Sequence, residues 1–188
     1  MTSILEEPAV RRVIYPLSVE FYHQAGELGL LGEDVELLEG MIVHKMPKSP
    51  LHESSVEKLY ELLRQACPRG SRVFKERPLT CARSEPEPDV SVVRGNADDF
   101  RRSHPSSAEL VIEVAVSTLE VDRRKAAIYC SAGVKEYWIV IPEERRVEVH
   151  CRPEGEIYLE THTAVAPARL ESTAVAGFSV DLAQLFQP

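Results

Sequence analysis

Two short valine- and isoleucine-rich runs, residues 89–93 (DVSVV) and 109–114 (ELVIEV), constrain this chain more than any other feature, because each joins strong β-propensity to a carboxylate near one end. Between them lie Gly95, Asn96, Asp98, Asp99, Arg101, Arg102 and Pro105, the composition of a connecting loop. An antiparallel pairing whose facing residue numbers sum to 202 sets Val90 opposite Ile112 and Val92 opposite Leu110 on one side of a sheet. The same register sets Asp89 opposite Glu113 and Ser91 opposite Val111 on the other side. A slip by one residue would drive both acids onto the apolar side, where unpaired charge is expensive, so the hydrophobic pattern itself selects this register.

Directly opposed residues have Cβ atoms about 4.5–5.5 Å apart, and two like charges at that separation repel. A divalent cation would remove the conflict. Mg²⁺, with Mn²⁺ as a substitute, suits a sparse acidic pair because it takes oxygen ligands and keeps several waters. Zinc calls for histidine or cysteine, and neither is near these acids in sequence. The bland alternative places Asp89 in a turn after Pro88 and Glu113 at a surface strand end.

A third element comes from Lys125. Val121, Lys125 and Ile128 recur at helical spacing, which puts this lysine on the apolar stripe of a helix over about 122–132. A cation near a helix N-terminus opposes the macrodipole, so a nearby carboxylate would account for it; a snorkelling stem is the alternative. Asp122 reads as a first-turn acid satisfied by the dipole. Arg123 and Arg124 are candidates for phosphate contact, or else a solvated helix face.

Around this centre the chain reads as mixed α/β with hairpins. Ser18 caps a helix that stops at Gly29, and residues 35–38 and 41–46 flank Glu39-Gly40 as a tight hairpin whose first strand carries Glu36. His52 and Glu53 open a helix marked by Val56, Leu59, Leu63 and Ala66 and closed at Pro68-Arg69-Gly70. Strands are expected near 72–76 and 79–82, then at 136–141, 146–152 and 157–163, with a short amphipathic segment around Leu182, Leu185 and Phe186. No glycine-rich phosphate loop, G-x-S-x-G elbow or H-E-x-x-H helix is found. One domain over 1–188 is expected, with an N-terminal helix and hairpin appendage (1–46), a core (47–152), and C-terminal strands and a short helix (153–188).

Of the 188 residues, 44% are hydrophobic and 28% charged, which excludes disordered, collagen-like and coiled-coil chains. The net charge of -8 means that a polyanion must be held by a focused basic site. Cys67, Cys81, Cys130 and Cys151 form no C-x-x-C pair, so free thiols in a reducing cytoplasm are expected. The first twelve residues lack a signal-peptide core, and no window is apolar enough to span a membrane.

Taken together, Pro88-Asp89, Glu113-Val114-Ala115, Asp122-Arg123-Arg124-Lys125 and the run from Ala132 to Val140 resemble the Uma-two family, within the PD-(D/E)XK nuclease superfamily. The likeness extends through Val35 to Gly40 and His52, and so covers about Glu36 to Arg152. It implies a restriction-endonuclease-like mixed sheet flanked by helices, in which Asp89 and Glu113 hold Mg²⁺ against a scissile phosphate. In the superfamily a lysine lies two residues after the second acid, where this chain has Ala115; by resemblance Lys125 takes its place, and Glu36 and His52 join as auxiliary site residues. The implied reaction is metal-assisted hydrolysis of DNA, with Arg101, Arg102, Arg123 and Arg124 as local cations and a homodimer to cut both strands. Two rivals stay open: a catalytically inactive nuclease fold that binds nucleic acid or protein, and a hydrolase of small phosphate esters.

Overall fold

The computed structural model describes residues 8–11 and 13–187. The signal-peptide reading of the first twelve residues falls largely outside them. Helices α1 (Pro8–Arg11) and α2 (Val19–Glu27) precede a hairpin of β1 (Val35–Leu38) and β2 (Met41–His44). Then come α3 (Pro50–Ala66), β3 (Ser71–Lys75), β4 (Val90–Arg94), a 3-10 turn (Ala97–Phe100), β5 (Leu110–Val114), α4 (Leu119–Ser131), β6 (Glu136–Ile141), β7 (Arg146–Glu154) and β8 (Ile157–Val165). β9 (Arg169–Glu171), β10 (Ser179–Asp181) and α5 (Leu182–Leu185) finish the chain.

Strands β3 to β8 form one six-stranded sheet in chain order. Every neighbouring pair is antiparallel except β5–β6, which is parallel and is bridged by α4. A parallel pair requires such a crossover, and this one delivers α4 to one face of the sheet. The central pairing has Val90 opposite Ile112, Ser91 opposite Val111 and Val92 opposite Leu110, the register that the hydrophobic pattern selects.

Both faces of the sheet are covered. On one, Val90, Val92, Leu110 and Ile112 pack with Val56, Leu59 and Leu63 of α3 and with Phe178, Val180 and Leu182 of the C-terminal segment. On the other, Val93, Val111, Ile139 and Tyr137 pack with Tyr129 of α4. Burial on both sides explains why β4, β5 and β6 read as near-continuous apolar runs instead of alternating. Trp138 and its neighbours Tyr137, Ile139 and Val140 are core.

Caps agree with the sequence. Ser18 accepts a hydrogen bond from the Phe21 N–H and Ser49 from the His52 N–H, with Pro50 opening α3. Residues 79–82 form no strand, in contrast to the expectation from their composition. The Leu79 N–H turns to the Pro86 carbonyl, and the Cys81 N–H to the Ser84 carbonyl, so the Ser84–Pro88 turn folds back and takes the donors a strand would need. Helix α4 begins at Leu119, three residues before the expected 122. All four cysteines are free, and among the described residues no helix is long and apolar enough to cross a membrane.

One buried acid ties the C-terminal segment to the sheet. Glu136 is fully buried; its Oε1 accepts from the Trp138 indole at 2.7 Å, and its Oε2 from Ser172, from the Thr173 N–H and hydroxyl, and from the Ala174 N–H. Replacing the carboxylate strands these donors in the core. Glu136→Ala is expected to lower unfolding stability by about 2–4 kcal/mol, read by urea denaturation, with Glu136→Gln costing less because the amide oxygen still accepts.

Candidate active site

At one end of β4 and β5 the ladder continues through side chains. The Asp89 N–H donates to Glu113 Oε2 at 3.2 Å, and the Val114 N–H donates to Asp89 Oδ2 at 2.7 Å. Each carboxylate is thus held by backbone N–H next to the other, which helps two buried like charges share one place. Asp89 Oδ2 also receives His52 Nε2 at 3.1 Å. Facing a carboxylate, that nitrogen carries the proton; Nδ1 is buried without a partner among the described residues.

Lys125 closes the arrangement. Its ammonium lies 3.0 Å from Glu36 Oε1, 3.2 Å from Glu113 Oε1 and 4.0 Å from Asp122 Oδ1. Glu36 reaches it because β1 is buried along its whole length and the hairpin is docked by a bridge between Leu37 and Glu85, while Glu36 Oε2 accepts from the Glu87 N–H. Tyr129 donates to Glu113 Oε1 at 2.7 Å, one turn below Lys125 on α4. Asp89, Glu113, Lys125, Glu36 and His52 therefore converge on one cleft of about 230 Å³, together with Asp122.

The electrostatics are unbalanced: three carboxylates lie within 4.0 Å of one ammonium, and Asp89 lines the same cleft. Burial pushes the Glu113 carboxyl well above the usual range, and Asp89, Asp122 and Glu36 push it further while Lys125 opposes. Burial likewise raises Asp122, against Lys125 and the Thr118 hydroxyl that donates to it at 2.5 Å. Burial disfavours the Lys125 charge, yet Glu113, Glu36 and Asp122 outweigh it and hold the ammonium above its ordinary value. Lys125 is protonated at neutral pH, so it can stabilise negative charge but cannot take up a proton.

Helix α4 presents Asp122, Lys125 and Tyr129 inward, and Val121 is 46% exposed. The buried stripe is rotated from the one expected through Val121, and it makes Asp122 a site residue instead of a dipole-satisfying surface acid. The spacing of Asp122, Lys125 and Tyr129 at i, i+3 and i+7 was the available sign. Tyr129, Lys45 and Lys48 escaped the sequence reading as well. Lys45 and Lys48 line the cleft, paired to Glu87 at 3.2 Å and Glu76 at 2.9 Å.

The arginines lie elsewhere. Arg123 is clamped to Glu148 at 2.6 and 3.1 Å and to Glu120 at 2.8 Å, binding α4 to β7 rather than facing the cleft. Arg124 is exposed and does not line the cleft, and Arg101 and Arg102 border a separate one beside α2.

The donor chemistry fits a hard divalent ion. Asp89 and Glu113 offer oxygens, no cysteine lines the cleft, and Asp89 Oδ1 takes no hydrogen bond from the described residues. Among those residues no three histidine, cysteine, aspartate or glutamate side chains are arranged to hold an ion unaided. An ion there would complete its shell from water and substrate oxygens, the habit of Mg²⁺.

Arg123 and Arg146 hold the Glu148 carboxyl down to about 2, so its contribution is full above about pH 5 and is lost as pH falls toward 2. The gap in unfolding free energy between the parent and Glu148→Gln should be about 1–3 kcal/mol at neutral pH and close as the acid is titrated. Lys125→Met leaves the surrounding acids uncompensated and should cost about 3–5 kcal/mol in the metal-free protein, measured by denaturant titration at neutral pH.

No curated protein matches the chain. Among solved structures, the crystal structure of a putative nuclease belonging to DUF820 from Anabaena variabilis ATCC 29413 superimposes with a TM-score of 0.76 at 20% identity, covering 91% of this chain and 98% of that one. At that identity the likeness is one of fold. The sequence model described as Putative restriction endonuclease (Uma2) matches residues 20–183, nearly the whole chain and every side chain of the cleft. The chain belongs to the Uma2 family, as the resemblance of its motifs implied.

Proposed function

We propose that the protein is a Mg²⁺-dependent endonuclease that hydrolyses DNA phosphodiester bonds in this cleft. The observation that carries the reading is the surplus of buried carboxylates around a single ammonium at the joined ends of β4 and β5. Membership of a restriction-endonuclease family supports nuclease chemistry and a nucleic-acid substrate.

Asp89 and Glu113 would hold the ion, which when bound supplies a Lewis acid for a phosphoryl oxygen and acidifies a water. The remaining tasks fall to this chain's own side chains. Val114 N–H and His52 Nε2 fix one oxygen of Asp89 and leave the other without a hydrogen bond from the described residues. Tyr129 and the Asp89 N–H orient Glu113. Lys125 places its ammonium where charge grows on the phosphate, and Glu36 keeps that ammonium charged and in position. Lys45 and Lys48 at the rim are the cations nearest an approaching backbone, and their contribution falls as salt rises.

The test is cleavage of plasmid and linear DNA with Mg²⁺ or Mn²⁺ by the parent, Asp89→Ala, Glu113→Gln and Lys125→Ala proteins. Each substitution is expected to reduce the rate at least about 100-fold. RNA and small phosphate esters serve as competing substrates. Equal rates in all four proteins would reject the assignment of roles, and turnover of small esters alone would reject DNA as the substrate.

A further inference from the structure

The two ends of the main sheet differ in kind. β3 at one end is five residues long and carries Arg72 and Lys75, charges of the sort that blunt an edge against pairing. β8 at the other end is nine residues long, with no proline, no lysine and one acid, Glu160. Its inner edge pairs with β7, and among the described residues no strand pairs with its outer edge. Ile157, Leu159 and Val165 on this strand are 63%, 48% and 53% exposed. A long, unpaired edge with exposed branched apolar side chains is a template for another strand.

The strand is complementary to itself. A two-fold axis perpendicular to the sheet requires facing residue numbers with an even sum, because each side chain must meet one on the same face. With Thr161 facing its own copy, Glu160 faces His162 and Leu159 faces Thr163. The acid, paired within its own chain to Arg152, meets the imidazole on both sides of the axis. Slipping by two residues in either direction sets Glu160 against Glu160 or His162 against His162. Charge thus selects one register.

We infer that β8 is a homodimer interface: two copies pair antiparallel through β8 about Thr161, joining their sheets into one continuous twelve-stranded sheet. β8 lies three strands from β5, so the interface is separate from the acidic cleft and does not depend on the nuclease reading. A single strand pair lies at the small end of stable interfaces, so the dimer dissociates on dilution.

The test uses the full chain. Light scattering on a concentration series should give twice the chain mass at the upper end. His162→Glu, which sets two acids face to face, should give the monomer mass under the same conditions, and Glu160→Lys combined with His162→Glu should restore the dimer. Thr161→Cys should form a reducible cross-linked dimer with an added oxidant, since facing Cα atoms fall within disulfide range, whereas Ile157→Cys, far from the axis, should not. Circular dichroism checks that each variant is folded. A parent chain that stays monomeric overturns the inference. So does a dimer that neither responds to His162→Glu nor cross-links through residue 161.

Discussion

The arrangement rests on one buried compromise between like charges. Asp89 and Glu113 sit side by side because each accepts a backbone N–H next to the other, and because Lys125 and Tyr129 approach from the facing helix. Without those donors the two acids would repel in a medium that screens poorly. The sheet register, the α4 crossover and the docking of the hairpin all serve to bring these groups together.

Much of this centre was legible in the sequence, for a definite reason. The β4–β5 register follows from patterning, since a one-residue slip would bury the acids against the apolar face of α3. The lysine was legible because a cation on a buried helix stripe demands a partner. Glu36 and His52 came only from family resemblance, because their proximity depends on contacts across 37 residues or more that no local spacing reveals.

What stayed hidden has a physical explanation too. Asp122 was read as satisfying the helix dipole, which is a sound local account. The helix, however, starts three residues earlier at Leu119, so Asp122 is carried one turn inward to face Lys125. Arg123 looked available for phosphate, yet Glu148 on β7 claims it through two hydrogen bonds. Long-range partners decided both cases. The loop at 79–82 failed as a strand because Ser84 and Pro86 offer nearer acceptors than any edge of the sheet.

The hairpin turn has a further consequence. Glu39 and Gly40 both have positive φ, at 50° and 79°, as a two-residue type I′ turn requires. Gly40 also packs against the incoming chain: a Cβ there would stand 2.5 Å from that of Pro16, and the Gly40 carbonyl accepts the Leu17 N–H. Any side chain at this position would prise the preceding segment from the turn and tilt β1, whose second residue is the glutamate that touches the central ammonium. A buried turn residue, far in sequence from the acids on β4 and β5, is thereby closed to variation by the demands of the cleft.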